Sequence, residues 1–230
     1  MGPFGTAYDL IASGDPVLMG IIALSLRVTL TAVLIGCAVG LPLGAVLAML
    51  RFPGRSAVVV VFNALMGLPP VVAGLVVYLA LSRAGPLGPL DLLFSPAAMI
   101  IAQTVLILPI VVSLTRSVIE DLWLEYEEQL RSLGSSRLRA VPTLLWDGRF
   151  SLLTGVLAGF GRASAEVGAV LIVGGNIAGH TRTMTTAITL ETARGSLGLA
   201  VALGIILLAI TLAINAGAFW IGQWGRRAAG

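Results

Sequence analysis

An all-α integral membrane protein is predicted by three features of the sequence. Hydrophobic residues fill 57% of its 230 positions and charged residues 11%, with a mean hydropathy of +1.01. Soluble domains carry about 25% charged residues, so this balance describes a chain dissolved in lipid rather than one folded around a large core. Apolar runs recur at 17–50, 57–81, 97–118, 152–174 and 197–221, each close to or above the roughly 20 residues a bilayer core requires. A single long polar stretch, 120–149, interrupts them. The expectation is one transmembrane domain over 1–230, with five crossings and one water-exposed loop.

Charge supports the same class. The net charge of +3 comes from 14 basic residues, all of them arginine. They stand in short clusters beside apolar runs, the pattern of cytoplasmic membrane loops and not of a nucleic-acid surface, so no nucleic-acid partner is expected. Cys37 is the only cysteine, which rules out an intrachain disulfide and a cysteine metal cluster and leaves a small core residue. The lack of lysine removes a Walker A loop and Schiff-base chemistry together. Residues 1–16 hold Asp9 and Asp15 and no basic residue, so the start of a cleavable signal peptide is missing and the first apolar run is expected to stay as an anchor.

The first span, 17–50, carries Gly36, Gly40 and Gly44 at four-residue spacing, a small-residue face that lets another helix approach closely. Pro42 is expected to kink its inner end, and Arg27 is not expected to face lipid. Arg51-Phe52-Pro53-Gly54-Arg55 is a basic turn, cytoplasmic by the positive-inside rule, which puts the N-terminus outside. The second span, 57–81, is broken by Gly67-Leu68-Pro69-Pro70, where Pro69 and Pro70 lack amide donors. Freed backbone groups at membrane depth need protein or a wet cavity, so this break is expected to face the interior, together with Asn63. Residues 83–95 form an outer loop, and 97–118 return inward with Gln103, Pro109 and Arg116.

The fourth span, 152–174, holds Arg162 and Glu166 four residues apart, hence on one face of a continuous helix. A charge at that depth costs about 2.5–3.5 kcal/mol on insertion scales, so such residues face a cavity or a partner. Two readings are open, a polar pathway or a structural lock made by Glu166 on Arg162 or on another helix. Arginine before glutamate is the weaker order for a helical pair, which favours partners elsewhere. The outer segment 174–196 reads as a loop followed by a short helix, with His180, the sole histidine, in a hydrogen-bonding rather than a metal role. The last span, 197–221, ends in Arg226 and Arg227, inside, as five crossings demand.

The polar stretch 120–149 reads as two short amphipathic helices parted by Gly134. Flanked by spans, it must project into water and offers itself as a docking element. No HExxH, GxSxG, CxxC or EF-hand pattern occurs, and the acidic cluster from Glu120 to Glu128 is a solvated helix face, so an enzyme is not indicated.

Glu128-Gln129-Leu130 followed by Gly134, with Ser135-Ser136-Arg137-Leu138-Arg139 behind it, resembles the Glu-Ala-Ala, three residues, Gly signature of permease subunits of binding-protein-dependent ABC importers. Leu68-Pro69-Pro70-Val71-Val72-Ala73-Gly74, Gly85-Pro86-Leu87-Gly88 and Gly161-Arg162-Ala163-Ser164-Ala165-Glu166 are similar to the oxyanion permeases for molybdate, tungstate and sulfate. The run from Gly174 to Ile188, with Asn176, His180, Thr181 and Arg182, is most similar to the tungstate type.

The resemblance implies a type I importer architecture in a prokaryotic plasma membrane. It implies a homodimer of permeases, two ATP-binding subunits and an extracytoplasmic oxyanion-binding protein. ATP and Mg would sit on the ATPases, and no cofactor on this chain. Glu128, Gly134, Ser135, Arg137 and Arg139 would couple to the ATPase, in a coupling helix. Arg162, Ser164, Glu166, Pro69 and Pro70 would line the pathway, and Asn176, His180, Thr181 and Arg182 would face the binding protein. A secondary transporter remains the alternative from another class, although no inverted repeat is visible.

Overall fold

The computed structural model describes the backbone of residues 2–229 and the side chains of residues 2–221. Ten α-helices are described, with a single 3-10 turn at Gly88–Leu90. Helix α1 (Pro3–Ser13) precedes α2 (Pro16–Met49). Gly14 between them takes a left-handed conformation, and the Asp15 carboxylate accepts from the Leu18 amide at 2.9 Å, capping α2 above Pro16. The sequence reading assigned no helix to 1–16. Its inner side packs through Ala7 and Leu10 on the start of the last helix, where Thr6 sits against Gly198.

Helix α2 runs unbroken through Pro42 and lies along α5 (Pro96–Ser132), itself unbroken through Pro109. The small-residue face predicted for 17–50 is spent here. A Cβ on Gly36 would meet the Ile107 side chain at 2.8 Å, and one on Gly44 would lie 2.6 Å from the Val112 carbonyl oxygen. The glycines therefore bring α2 onto α5 of the same chain.

Helix α5 also corrects the reading of the polar stretch. The third span and the first half of 120–149 are a single 37-residue helix. No glycine or proline falls between Pro109 and Gly134, and Glu, Leu, Gln and Arg are strong helix formers, so nothing stops the helix where the apolar run ends.

Among the described residues, three helices are long and apolar enough to cross a bilayer, Pro16–Met49, Pro96–Ser132 and Leu197–Ile221, and two bent pairs raise the number to five if each crosses. The first pair is α3 (Arg55–Leu65) with α4 (Pro70–Leu81), bent by 107° at the predicted break. Asn63 lies exposed on α3, which buries none of its residues, and not on the interior face expected for it. The second pair is α7 (Arg149–Ser164) with α8 (Gly168–Gly174), bent by 57°. The span expected at 152–174 is thus divided, and Glu166 stands in the division. Arg162 and Glu166 do not share one helical face.

The two bent pairs cross each other. A Cβ on Gly74 would lie 2.7 Å from the Ala169 Cα, so α4 meets α8 backbone to backbone. Val77, Leu81, Met99, Leu106, Val170 and Val173 fill the core around this crossing. Helix α6 (Arg137–Asp147) packs Ala140 and Leu144 on Trp123 and Ile119 of α5. Helix α9 (Met184–Ala193) lies between α2 and α10 (Leu197–Ala229). Arg226 and Arg227 lie outside the residues whose side chains are described.

Candidate translocation and docking sites

The interior site begins with backbone groups released by the two bends. The Leu68 carbonyl, just before Pro69, has lost its helical partner, and the Arg162 guanidinium donates to it at 3.2 Å. Glu166 serves the opposite kind of orphan. Its Oε1 accepts from the Ala169 amide at 2.8 Å and closes the first turn of α8, while its own carbonyl accepts from Thr185 at 2.8 Å. Glu166 is 3% exposed and forms no ion pair with Arg162. Of the two roles open for this pair, the geometry holds each on its own partner, with α3–α4 joined to α7 and α8 joined to α9. Pro69 is exposed and Pro70 half-buried at the bend.

A small cleft of about 20 Å³, room for about one water, is lined by Ser25, Thr29, Gln103, Ser164, Thr183 and Thr185 among others. The Ser25 hydroxyl accepts from the Met184 amide at 2.7 Å, holding α9 to α2. Gln103 Nε2 donates at 3.1 Å to the Ala163 carbonyl, which also accepts from the Glu166 amide at 3.2 Å near the α7 end, and Gln103 Oε1 is buried with no partner. Six polar side chains from α2, α5, α7, the residue before α9 and α9 itself thus converge on one cleft inside the bundle. Of these, the sequence pointed only to Ser164. The others were hidden because single Ser, Thr and Gln residues in apolar runs look alike until the helices are packed.

Arg27 is exposed on α2, in a stripe with Leu30 and Leu34, and pairs with no acidic residue among those described. An arginine there on a lipid-facing surface is costly.

At the opposite end of α5, Gly134 takes φ +75°. The amides of Gly134 and Ser135 bond back to the carbonyls of Arg131 and Leu130, both at 2.9 Å, ending α5 sharply. The turn presents Leu133 at 82% exposure, with exposed Leu138 and Trp146 on α6. Glu128 and Arg139 are exposed, and Ser135 is half-buried. Arg137 is turned inward, where it reaches Glu127 at 3.4 Å and lies 5.4 Å over the Trp123 ring. Glu127 also pairs with Arg131 at 2.6 Å. Glu127, not Glu128, is the carboxylate that fixes the turn. Its signal was the Glu127–Arg131 spacing, four residues in the favourable order.

The outer loop divides. His180 is exposed, and only its backbone amide is bonded, to the Ile177 carbonyl at 3.2 Å. Thr181 is fully buried, donating to the Gly174 carbonyl at 2.6 Å and accepting from the Ile177 amide, so it shapes the loop instead of meeting a partner. Asn176 is half-buried at φ 51°, and Arg182 lies 4.0 Å from Glu191.

Long apolar helices, two broken elements locked at their bends and a polar cleft inside define a multi-pass membrane protein built for passage of a polar solute. The chain belongs to the family of binding-protein-dependent transport system inner membrane components, which it matches over residues 40–227. It is 42% identical to the tungstate uptake system permease protein TupB of Peptoclostridium acidaminophilum over 93% of each chain. It is 43% identical to a probable anion ABC transporter permease protein of Haloferax volcanii, over 86% of this chain and 88% of that protein. The molybdenum transport system permease protein ModB of Escherichia coli is 28% identical over 91% of this chain and 95% of its own. The family is that of ABC importer permeases, and a secondary transporter has no support from it.

Proposed function

We propose that this chain is the permease subunit of a tungstate importer, one of two identical copies forming the translocation pathway. Two partner ATPases bind and hydrolyse ATP with Mg, and an extracytoplasmic binding protein delivers the oxyanion. The observation that carries this reading is the cleft lined by hydroxyls and the Gln103 amide, to which α7 contributes Ser164. Neutral hydroxyl and amide donors lower the barrier for a dianion without trapping it. Tungstate, before molybdate or sulfate, follows from the likeness to TupB.

Each bent pair is read as one crossing, giving five, with the N-terminus outside and the C-terminus cytoplasmic. The exposed Arg27 favours a second copy or water on that face of α2. The turn at Gly134 with Leu133, Leu138 and Trp146 is read as the surface that docks the ATPase, with Glu128 and Arg139 at its rim. Asn176, His180 and Arg182 face the binding protein.

Proteoliposomes holding this chain, its ATPase and its binding protein test the reading. ATP-dependent uptake of tungstate, exceeding that of molybdate and sulfate, is expected. Uptake driven by an ion gradient without ATP overturns it, and preference for molybdate moves only the substrate.

A further inference from the structure

We propose that a cavity of about 230 Å³ where α2 ends and α3 begins binds a tetrahedral phosphate group, supplied by an anionic lipid headgroup. Arg51, Arg55 and Arg137 line it with Glu120, Glu127 and Trp123.

Both carboxylates are already engaged, Glu120 by Arg55 and Arg116, and Glu127 by Arg131 and Arg137. Arg55 is held in place further by the α2 carbonyl of Leu47 at 2.9 Å. Arg51 is exposed and makes no ion pair among the described residues. The second observation is independent of charge. Trp123 is only 6% exposed, and its indole N–H is buried with no acceptor. An indole can only donate, and a buried donor without an acceptor is costly, so acceptor oxygens brought to this N–H would be stabilising. A phosphate supplies them, and arginine suits it in geometry and charge.

The surroundings favour a lipid as the source. Arg51-Phe52-Pro53-Gly54-Arg55 is the junction between an apolar helix and the polar end of the bundle, the level of headgroups. Leu50 and Phe52 are exposed beside the arginines, where acyl chains would lie. The inference rests on the orientation proposed above only for the choice of leaflet, and binding can be read in detergent without it.

The test is native mass spectrometry of the chain, together with the subunits that accompany it from its own membrane. After delipidation it is titrated with dioleoylphosphatidic acid, with dioleoylphosphatidylcholine and, separately, with inorganic phosphate. One phosphatidic acid per copy is expected, weakened about tenfold in both Arg51→Gln and Trp123→Phe, the loss that follows from removing one charge-assisted or one buried hydrogen bond. Binding of inorganic phosphate alone, lost in the same variants, keeps the phosphate site and assigns it to a free oxyanion. Equal binding of phosphatidic acid and phosphatidylcholine, or binding unchanged in Arg51→Gln, overturns the proposal. Arg51 is exposed, so that variant folds even if Trp123→Phe does not. Transport assays report on the importer reading separately.

Discussion

The guanidinium of Arg162 and the carbonyl of Leu68, 94 residues apart in the chain, meet at 3.2 Å and join the bends of two broken helices. Each bend leaves backbone groups that lipid cannot satisfy; the first is completed by Arg162 of the other pair, the second by Glu166 itself, Thr185 and Gln103.

Arg162→Ala leaves the Leu68 carbonyl without its donor. A loss of about 1–3 kcal/mol in stability is expected from the unsatisfied group. The complex should still assemble while uptake is abolished, read as thermal stability and flux on the same preparation. Uptake that falls only in step with stability would confine Arg162 to the lock. Glu166→Gln keeps an oxygen for the Ala169 amide, so α8 should remain capped, and any lost flux in that variant reports on the carboxylate charge itself.

The glycines of α2 predict a graded series. Gly44→Ala drives a methyl group into the Val112 backbone carbonyl, which cannot turn aside, and should cost about 1–3 kcal/mol. Gly36→Ala meets the Ile107 side chain, whose end can rotate, and should cost less. Thermal unfolding of both variants in one detergent checks the order.

Gly134→Pro fixes φ near −65° where the turn needs +75°, and it removes the amide bonded to Arg131. Expected is ATPase activity no longer matched by transport. Gly134→Asn, a residue tolerant of the left-handed region, should retain coupling, and the ratio of ATP hydrolysed to tungstate carried distinguishes them.

Glu127→Gln and Glu128→Gln differ by a single position and should differ in effect. Glu127 is shared by Arg131 and Arg137, whereas Glu128 is exposed. Stability should change by no more than about 1 kcal/mol in either, since the Glu127 pairs are partly exposed. Coupling should fall in Glu127→Gln alone if the turn's shape is what matters, and equal loss in Glu128→Gln would place the exposed carboxylate in direct contact with the partner.

The sequence made the architecture legible where a residue has only one physical use. Pro69 and Pro70 marked a bend, Gly134 a turn, and Gly36, Gly40 and Gly44 a close helix contact, and all three features are present. It was misleading where a polarity change was taken for a structural boundary. Residues 120–132 turn polar while remaining helix formers, so α5 continues through them. Arg162 and Glu166 were legible as interior residues, but their spacing implied one face only for an unbroken helix. No single residue announces the 57° bend between them. The hydroxyl cleft depends on packing of separate elements, which no local pattern encodes.

Helix α5 continues from Pro96 through Pro109 to Ser132, just before the turn at Gly134, and the roughly 45 Å from Gln103 to Leu133 follows from 1.5 Å per residue. It is one continuous connecting rod. A partner that shifts the Leu133 tip is therefore expected to move the amide of Gln103 in the same stroke, with the α2 ridge riding beside it on its glycines.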